Sequence, residues 1–277
     1  MQSRTLLNAA ARLAVFSITL GLLVACDSGT TDVPPGPGPD LTPVAQACDA
    51  PPFGGTVFIT STLITAADPT AYTGATSAGR GSRRMFDRRV DGWITVDAYL
   101  VRLAFSDGPD VEVQVNPEVG SADIALAEAR RFGPSIGQLP HALRTDVRTV
   151  WIHRGTQPFG GGNENLLIHT GQADLYDADG VLEEALVHEA AHTSLDAAHA
   201  GSAYWTAAQQ ADQCAVSVYA RDNPTREDIA ESFLPYLALR RRPGSLSADD
   251  RAAVAASMPN RIAYFDWLAL DLSPFAE

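Results

Sequence analysis

His188-Glu189-Ala190-Ala191-His192 places two imidazoles four residues apart, with a carboxylate between them. On a helix, side chains at that spacing lie about 40° apart around the axis and roughly 6 Å along it, so both rings reach one ion from the same face. Glu189, about 100° further round, reaches a water bound to that ion. Zn²⁺ held this way polarises a carbonyl and acidifies a water, and the carboxylate takes the proton. The chemistry requires a helix. Leu182 and Leu186 supply an apolar stripe, no Pro or Gly interrupts the segment, and Asp177 and Asp179 precede it as candidate caps. A five-letter pattern also arises by chance in helices that bind nothing, but the uninterrupted helical context argues for a metal site on a helix over about 180–199.

A catalytic zinc takes three protein ligands and keeps a fourth position open. His199 does not fit the metzincin spacing, whose Gly and His positions are occupied here by Leu195 and Ala198. Asp196 continues the same helical face, but on a straight helix it lies about 12 Å from His188 along the axis. It suits the helix surface or a place behind a ligand. A second helix offers a better candidate. Asn223-Pro224 is a strong helix start, with Asn as the cap and Pro in the first turn. Beyond it, Glu227 and Glu231 share one face, and Ile229, Phe233 and Leu234 bury the other.

The run Glu227-Asp228-Ile229-Ala230-Glu231-Ser232-Phe233, together with the His-Glu-x-x-His segment, resembles the E-x-x-A-E-x-F pattern of the gluzincins related to anthrax lethal factor and Pro-Pro endopeptidase. The resemblance extends from Leu182 to Phe233. It implies a zincin-like fold, one Zn²⁺ held by His188, His192 and Glu227, and Glu189 as general base. It also implies a tyrosine shortly before the glutamate, donating to the oxyanion. The matching position is Ala220, and Tyr219 beside it is the nearest tyrosine. Glu231 is expected to orient an imidazole from behind or to pair with an arginine, and Asp196 is expected in the same layer. The last strand before the active helix is expected to be the sheet edge that holds an extended peptide.

The elements that must position these residues read as an α+β chain. Strands are expected over 55–64, 92–106 and 111–118, then a helix from Ser121 that stops at Gly133-Pro134. Strands over 148–153 and 165–170 precede the active helix. The sum is a mixed N-terminal sheet with the active-site helix, followed by a mainly helical C-terminal subdomain. Arg83–Arg89 reads as a solvated, salt-bridged surface. The loop holding Gly160, Gly161 and Gly162 leads into a strand with no Lys following, which argues against a phosphate cradle.

Residues 1–25 read as an export signal with a short apolar run. It ends in Leu23-Val24-Ala25-Cys26, which resembles the lipobox of bacterial lipoproteins and implies acylation of Cys26. The Pro- and Gly-rich segment 26–47 reads as a tether, and 48–277 as a single domain. The expected location is lipid-anchored to the bacterial cell envelope, outside the cytoplasm. Cys48 and Cys214 then remain in an oxidising compartment, either as one disulfide or as two buried thiols. A net charge of −13 argues against nucleic acid as a partner. The expected partners are a peptide or protein substrate and a lipid membrane. Three functions follow in order: a zinc endopeptidase, a catalytically silent zincin-like binding module, and a zinc amidase acting on a cell-wall crosslink.

Overall fold

Val111, Val113 and Val115 alternate along a short strand and all are buried, the pattern of a strand with one face in the core. That strand, β3 (Val111–Val115), lies inside a mixed six-stranded sheet ordered β1-β2-β3-β4-β6-β5. β1 (Tyr72–Asp87), β2 (Gly92–Phe105) and β3 pair antiparallel. β3, β4 (Thr149–His153) and β6 (Asn165–His169) pair parallel, and β5 (Gly160–Gly162) closes the edge antiparallel to β6. The computed structural model describes Pro34 and residues 36–45, 48–61 and 63–275. The signal segment and Cys26 lie outside the described residues.

A parallel step between strands needs a crossover. α1 (Ala122–Gly137) and the single turn α2 (His141–Arg144) supply it between β3 and β4. The Ser121 hydroxyl caps α1 by accepting from the Ile124 N–H. α1 does not stop at Gly133-Pro134 as expected but continues to Gly137. Its two glycines let it press closely on the chain before β1: a Cβ at Gly137 would stand 2.3 Å from Thr70 Oγ1.

α3 (Thr170–Asp179) follows β6 and ends on Gly180, in the left-handed conformation at φ 70°. Asp177 and Asp179, expected as caps of the next helix, therefore belong to α3. α4 (Leu182–Leu195) carries the His-Glu-x-x-His run and has no side-chain cap. Leu182, Leu186, Ala190, Ala191 and Leu195 are all buried. Buried polar residues Glu184, His188, Thr193 and Ser194 lie among them, so the helix is buried nearly all round and runs through the core rather than along the surface. α4 packs on β5 and β6 on one side and on α7 (Asp228–Arg241) on another. A π-helical turn, Asp196–Ala200, finishes the stretch expected as one helix.

Upstream, two expectations are corrected in whole or in part. The run 55–64 forms no strand among its described residues; Leu63 and Ile64 instead drop into the core, and the Ile64 N–H donates to Glu184. The arginines of 83–89 are exposed or half-buried, as expected, but the run also closes β1 and buries Met85 and Asp87 between them. The flanking arginines do form salt bridges: Arg83 pairs with Glu112, and Arg89 pairs with Asp87 and Glu118. The far end of the β1–β2 hairpin buries Met85, Ala98 and Leu100 against Trp151, on the sheet face away from α4.

The remaining helices are α5 (Ala203–Asp212), α6 (Val218–Asp222), α7, α8 (Ala248–Ser257) and α9 (Pro259–Leu268). Trp205, Phe233, Tyr236, Tyr264 and Phe265 pack edge-on and tilted in their core. His199 is buried there with Nδ1 2.7 Å from the Tyr264 hydroxyl, which accounts for it structurally. α7 begins at Asp228 rather than at Asn223-Pro224. Asn223 closes α6, and its carbonyl accepts from the Glu227 N–H (2.9 Å) in the turn that leads into α7.

Cys48 and Cys214 form a disulfide, with Cα atoms 5.5 Å apart across a sequence separation of 166. Closing so long a loop removes unfolded-state entropy worth at most about 4–5 kcal/mol. Residues 37–44 of the segment expected as a tether are docked. The Thr42 N–H donates to Asn260 Oδ1 at 2.7 Å, the Val44 N–H donates to the Ala211 carbonyl at 2.8 Å, and Trp267 Nε1 donates to the Pro37 carbonyl at 3.0 Å. Among the described residues, no helix is long and apolar enough to cross a membrane.

Candidate metal centre

α4 aims His188 and His192 at the first residue before α7. His192 Nε2 lies 3.2 Å from His188 Nε2 and 3.1 Å from Glu227 Oε2, and His188 Nε2 lies 3.5 Å from that same oxygen. Lone-pair donors brought this close repel one another unless a positive charge lies among them. Ligand atoms about 2.0–2.1 Å from a tetrahedral ion stand roughly 3.3–3.4 Å apart, and the three observed edges bracket that value. His188, His192 and Glu227 thus form a group that could hold a metal ion.

The electrostatics favour a cation. Burial alone would lower the His192 pKa, but Asp196 and Glu227 outweigh it and push the value up to about 10. His188 is raised against its burial by Glu227. Glu227, although buried, is held well below the usual carboxylate range by the two imidazoles. Each group stabilises positive charge at the point where the donors meet.

Carboxylates stand behind both rings. Asp196 Oδ2 lies 2.9 Å from His192 Nδ1. Glu231 Oε1 lies 3.5 Å from His188 Nδ1, within ion-pair reach but longer than a well-formed hydrogen bond. Glu231 Oε2 is itself held by the Thr56 N–H at 3.0 Å and by the Ser217 hydroxyl. Thr56 arrives on a strap that begins at the Cys48–Cys214 disulfide and pairs in parallel with Ser217 through Phe53. The same strap fixes α6, since the Val218 and Tyr219 N–H groups donate to the Phe53 and Gly54 carbonyls at 2.8 and 3.2 Å.

Tyr219 faces the centre. Burial, and then the Glu227 carboxylate, push its phenol well above the ordinary value, so it stays a hydroxyl donor. Glu189 is half-buried, and its charge bears on both imidazoles and on Tyr219. The structure thus gathers Glu189, Tyr219, His188, His192, Glu227, Glu231 and Asp196 at one place.

The sheet edge beside α4 is β5, the three-glycine run, and not the strand at 165–169, which lies inside the sheet as β6. The glycines have a steric reason. A Cβ at Gly161 would stand 1.8 Å from the Glu189 carbonyl oxygen, so only glycine lets the edge strand lie directly on the active helix. Thr193 fastens the two together: its hydroxyl accepts from the Gly162 N–H (2.9 Å) and faces the Asn165 and Glu189 carbonyls at 2.9 and 3.0 Å.

Comparison with protein-family models, with curated proteins and with solved structures finds no match for this chain.

Several residues that hold the site were not apparent beforehand. Asp228, next to Glu227, is buried and gripped by Arg261 through two contacts of 2.9 Å. Arg261 also binds Asp212 at 2.9 Å and the Cys214 carbonyl at 2.8 Å. That network pins the start of α7 to α5 and α9, and so sets where Glu227 points. A buried acid followed by an apolar helix is its only sequence signal. Thr56 and Ser217 carry none.

Proposed function

We propose that this chain is a zinc-dependent endopeptidase, exported and held at the cell envelope by acylated Cys26. The observation that carries the reading is the convergence of His188 Nε2, His192 Nε2 and Glu227 Oε2 at 3.1–3.5 Å, with Glu189 on the same helix as the two histidines. Two imidazoles and one carboxylate suit zinc, whereas Ca²⁺ and Mg²⁺ take oxygen ligands. The resemblance of Glu227–Phe233 to the lethal-factor and Pro-Pro endopeptidase gluzincins, and a zincin-like reading of the fold, support the same assignment.

Zinc bound there would polarise the scissile carbonyl and acidify the attacking water. Glu189 takes the proton of that water and delivers it to the departing amine. Tyr219, kept protonated by its surroundings, donates to the developing oxyanion. Asp196 and Glu231 fix the ring orientation of His192 and His188. β5 offers an unpaired strand edge beside Glu189 on which an extended peptide can lie.

Metal analysis of the purified protein, paired with cleavage of a peptide library, tests the reading. One zinc per chain and cleavage abolished by chelation are expected. Protein purified without chelator that carries no metal, or zinc-loaded protein that cleaves no peptide, contradicts it.

A further inference from the structure

Arg88 follows β1 at the far end of the long hairpin. Of the other arginines in the run, Arg83 is neutralised by Glu112 and Arg89 by Asp87 and Glu118, while Arg84 lies 4.6 Å over the Trp93 ring. Arg88 is exposed and makes no hydrogen bond or ion pair among the described residues. Its guanidinium lies across the edge strand: a Cβ on Gly160 would stand 2.8 Å from Nη2 and 3.4 Å from Nε. Gly160 presents the sheet face away from α4, and Gly161 presents the opposite face, against Glu189. Two consecutive residues of β5 therefore touch an unpaired cation on one side and the active helix on the other. The Tyr176 phenol senses both charges. After burial, Glu189 pushes it up and Arg88 pulls it down.

A peptide strand added to the free edge of β5 lies about 4.7–4.9 Å away. Its residue opposite Gly160 projects onto the same face, with its Cβ about 4.5–5.5 Å from the Gly160 Cβ position. A carboxylate there meets the Arg88 guanidinium. A lysine there is repelled, and a neutral side chain leaves the arginine unpaired. The protein as a whole carries −13, so its long-range field disfavours acidic peptides and any acidic preference must come from a local cation.

We propose that Arg88 forms an acid-selective subsite beside the metal centre, and that the substrate is a peptide with an Asp or Glu side chain opposite Gly160. The proposal rests on the endopeptidase reading. Its test uses the full chain, loaded with zinc, on peptides that match except for Glu, Gln or Lys at one position scanned along the sequence. At one position the Glu peptide is expected to be cleaved with a kcat/KM about three- to tenfold above its Gln counterpart, the scale of a partly exposed ion pair. The difference should lie in KM rather than kcat. Arg88→Glu should shift the preference to Lys and Arg88→Lys should retain part of it, with zinc content and Tm unchanged. Direct binding of the same peptides to the Glu189→Gln protein should rank them identically. Cleavage without an acidic preference at any position, or a preference that survives Arg88→Glu, overturns the subsite and leaves the endopeptidase reading standing. Zinc-loaded protein that cleaves no peptide overturns both.

Discussion

Asp196 Oδ2 stands 2.9 Å from His192 Nδ1, while the other nitrogen of that ring faces Glu227 Oε2 at 3.1 Å. One imidazole is thus held between two carboxylates with different tasks. Asp196 approaches from behind and fixes the ring; Glu227 meets it where the three donor atoms converge. The π-helical turn that starts at Asp196 leaves this carboxylate behind the ring and does not carry it round to the donor face.

Asp196→Ala should accordingly keep one zinc per chain while weakening its affinity about 10–100-fold. A chelator-competition titration reads the change. Loss of all stoichiometric zinc in this variant would make Asp196 a ligand.

Glu189→Ala removes the proposed base and no donor atom. Zinc content should match the wild type, while kcat falls by roughly 10²–10⁴-fold. Near wild-type turnover by this variant would take the base role away from Glu189.

Glu184 lies one turn before His188 on α4 and is fully buried, with its Oε2 unpartnered. Burial pushes its carboxyl up to about 7 from an ordinary 4.5. A folded value above the unfolded one means that stability is fully present below about pH 4.5, falls as pH rises, and is lost above about 7. Glu184→Gln should therefore raise stability by up to about 2–3 kcal/mol at pH 8 and change it little at pH 4. Thermal melts at the two pH values check this, and an equal effect at both would contradict it.

Gly161→Ala forces a Cβ to within 1.8 Å of the Glu189 carbonyl oxygen. Separating β5 from α4 should cost about 1–3 kcal/mol or more and lower cleavage as well. Gly74→Ala, where nothing lies within 4 Å, serves as the control and should stay within about 0.5 kcal/mol of wild type. Equal melting temperatures for the two variants would remove the steric argument.

What could be read from the chain in advance follows from how local each signal is. The pairing of His188 with His192 depends on one helical turn, and β3, β4 and β6 depend on short apolar runs. Glu227 is 35 residues from His192; the helix pattern leaves it level with Glu231, and the resemblance to a known segment singles it out. Thr56 reaches Glu231 across 175 residues, a separation at which no pattern speaks. β1 was missed because its Gly-, Ser- and Arg-rich sequence has little strand propensity and is held by pairing with β2. The three glycines of β5 stood out, but their reason, the closeness of Glu189, exists only once α4 is in place. Met85 shows the same dependence, since β1, which carries it into contact with Ala98, Leu100 and Trp151, has little strand signal of its own.

The zinc content of Glu227→Ala tests the central claim most directly. After dialysis against metal-free buffer, metal analysis of this variant should find far less than one zinc per chain, with wild type and Asp196→Ala retaining one. The fold should survive, because Asp228 and Arg261, which anchor the start of α7, are untouched. A Glu227→Ala protein that keeps one zinc at wild-type affinity would contradict the assignment of His188, His192 and Glu227 as the metal site.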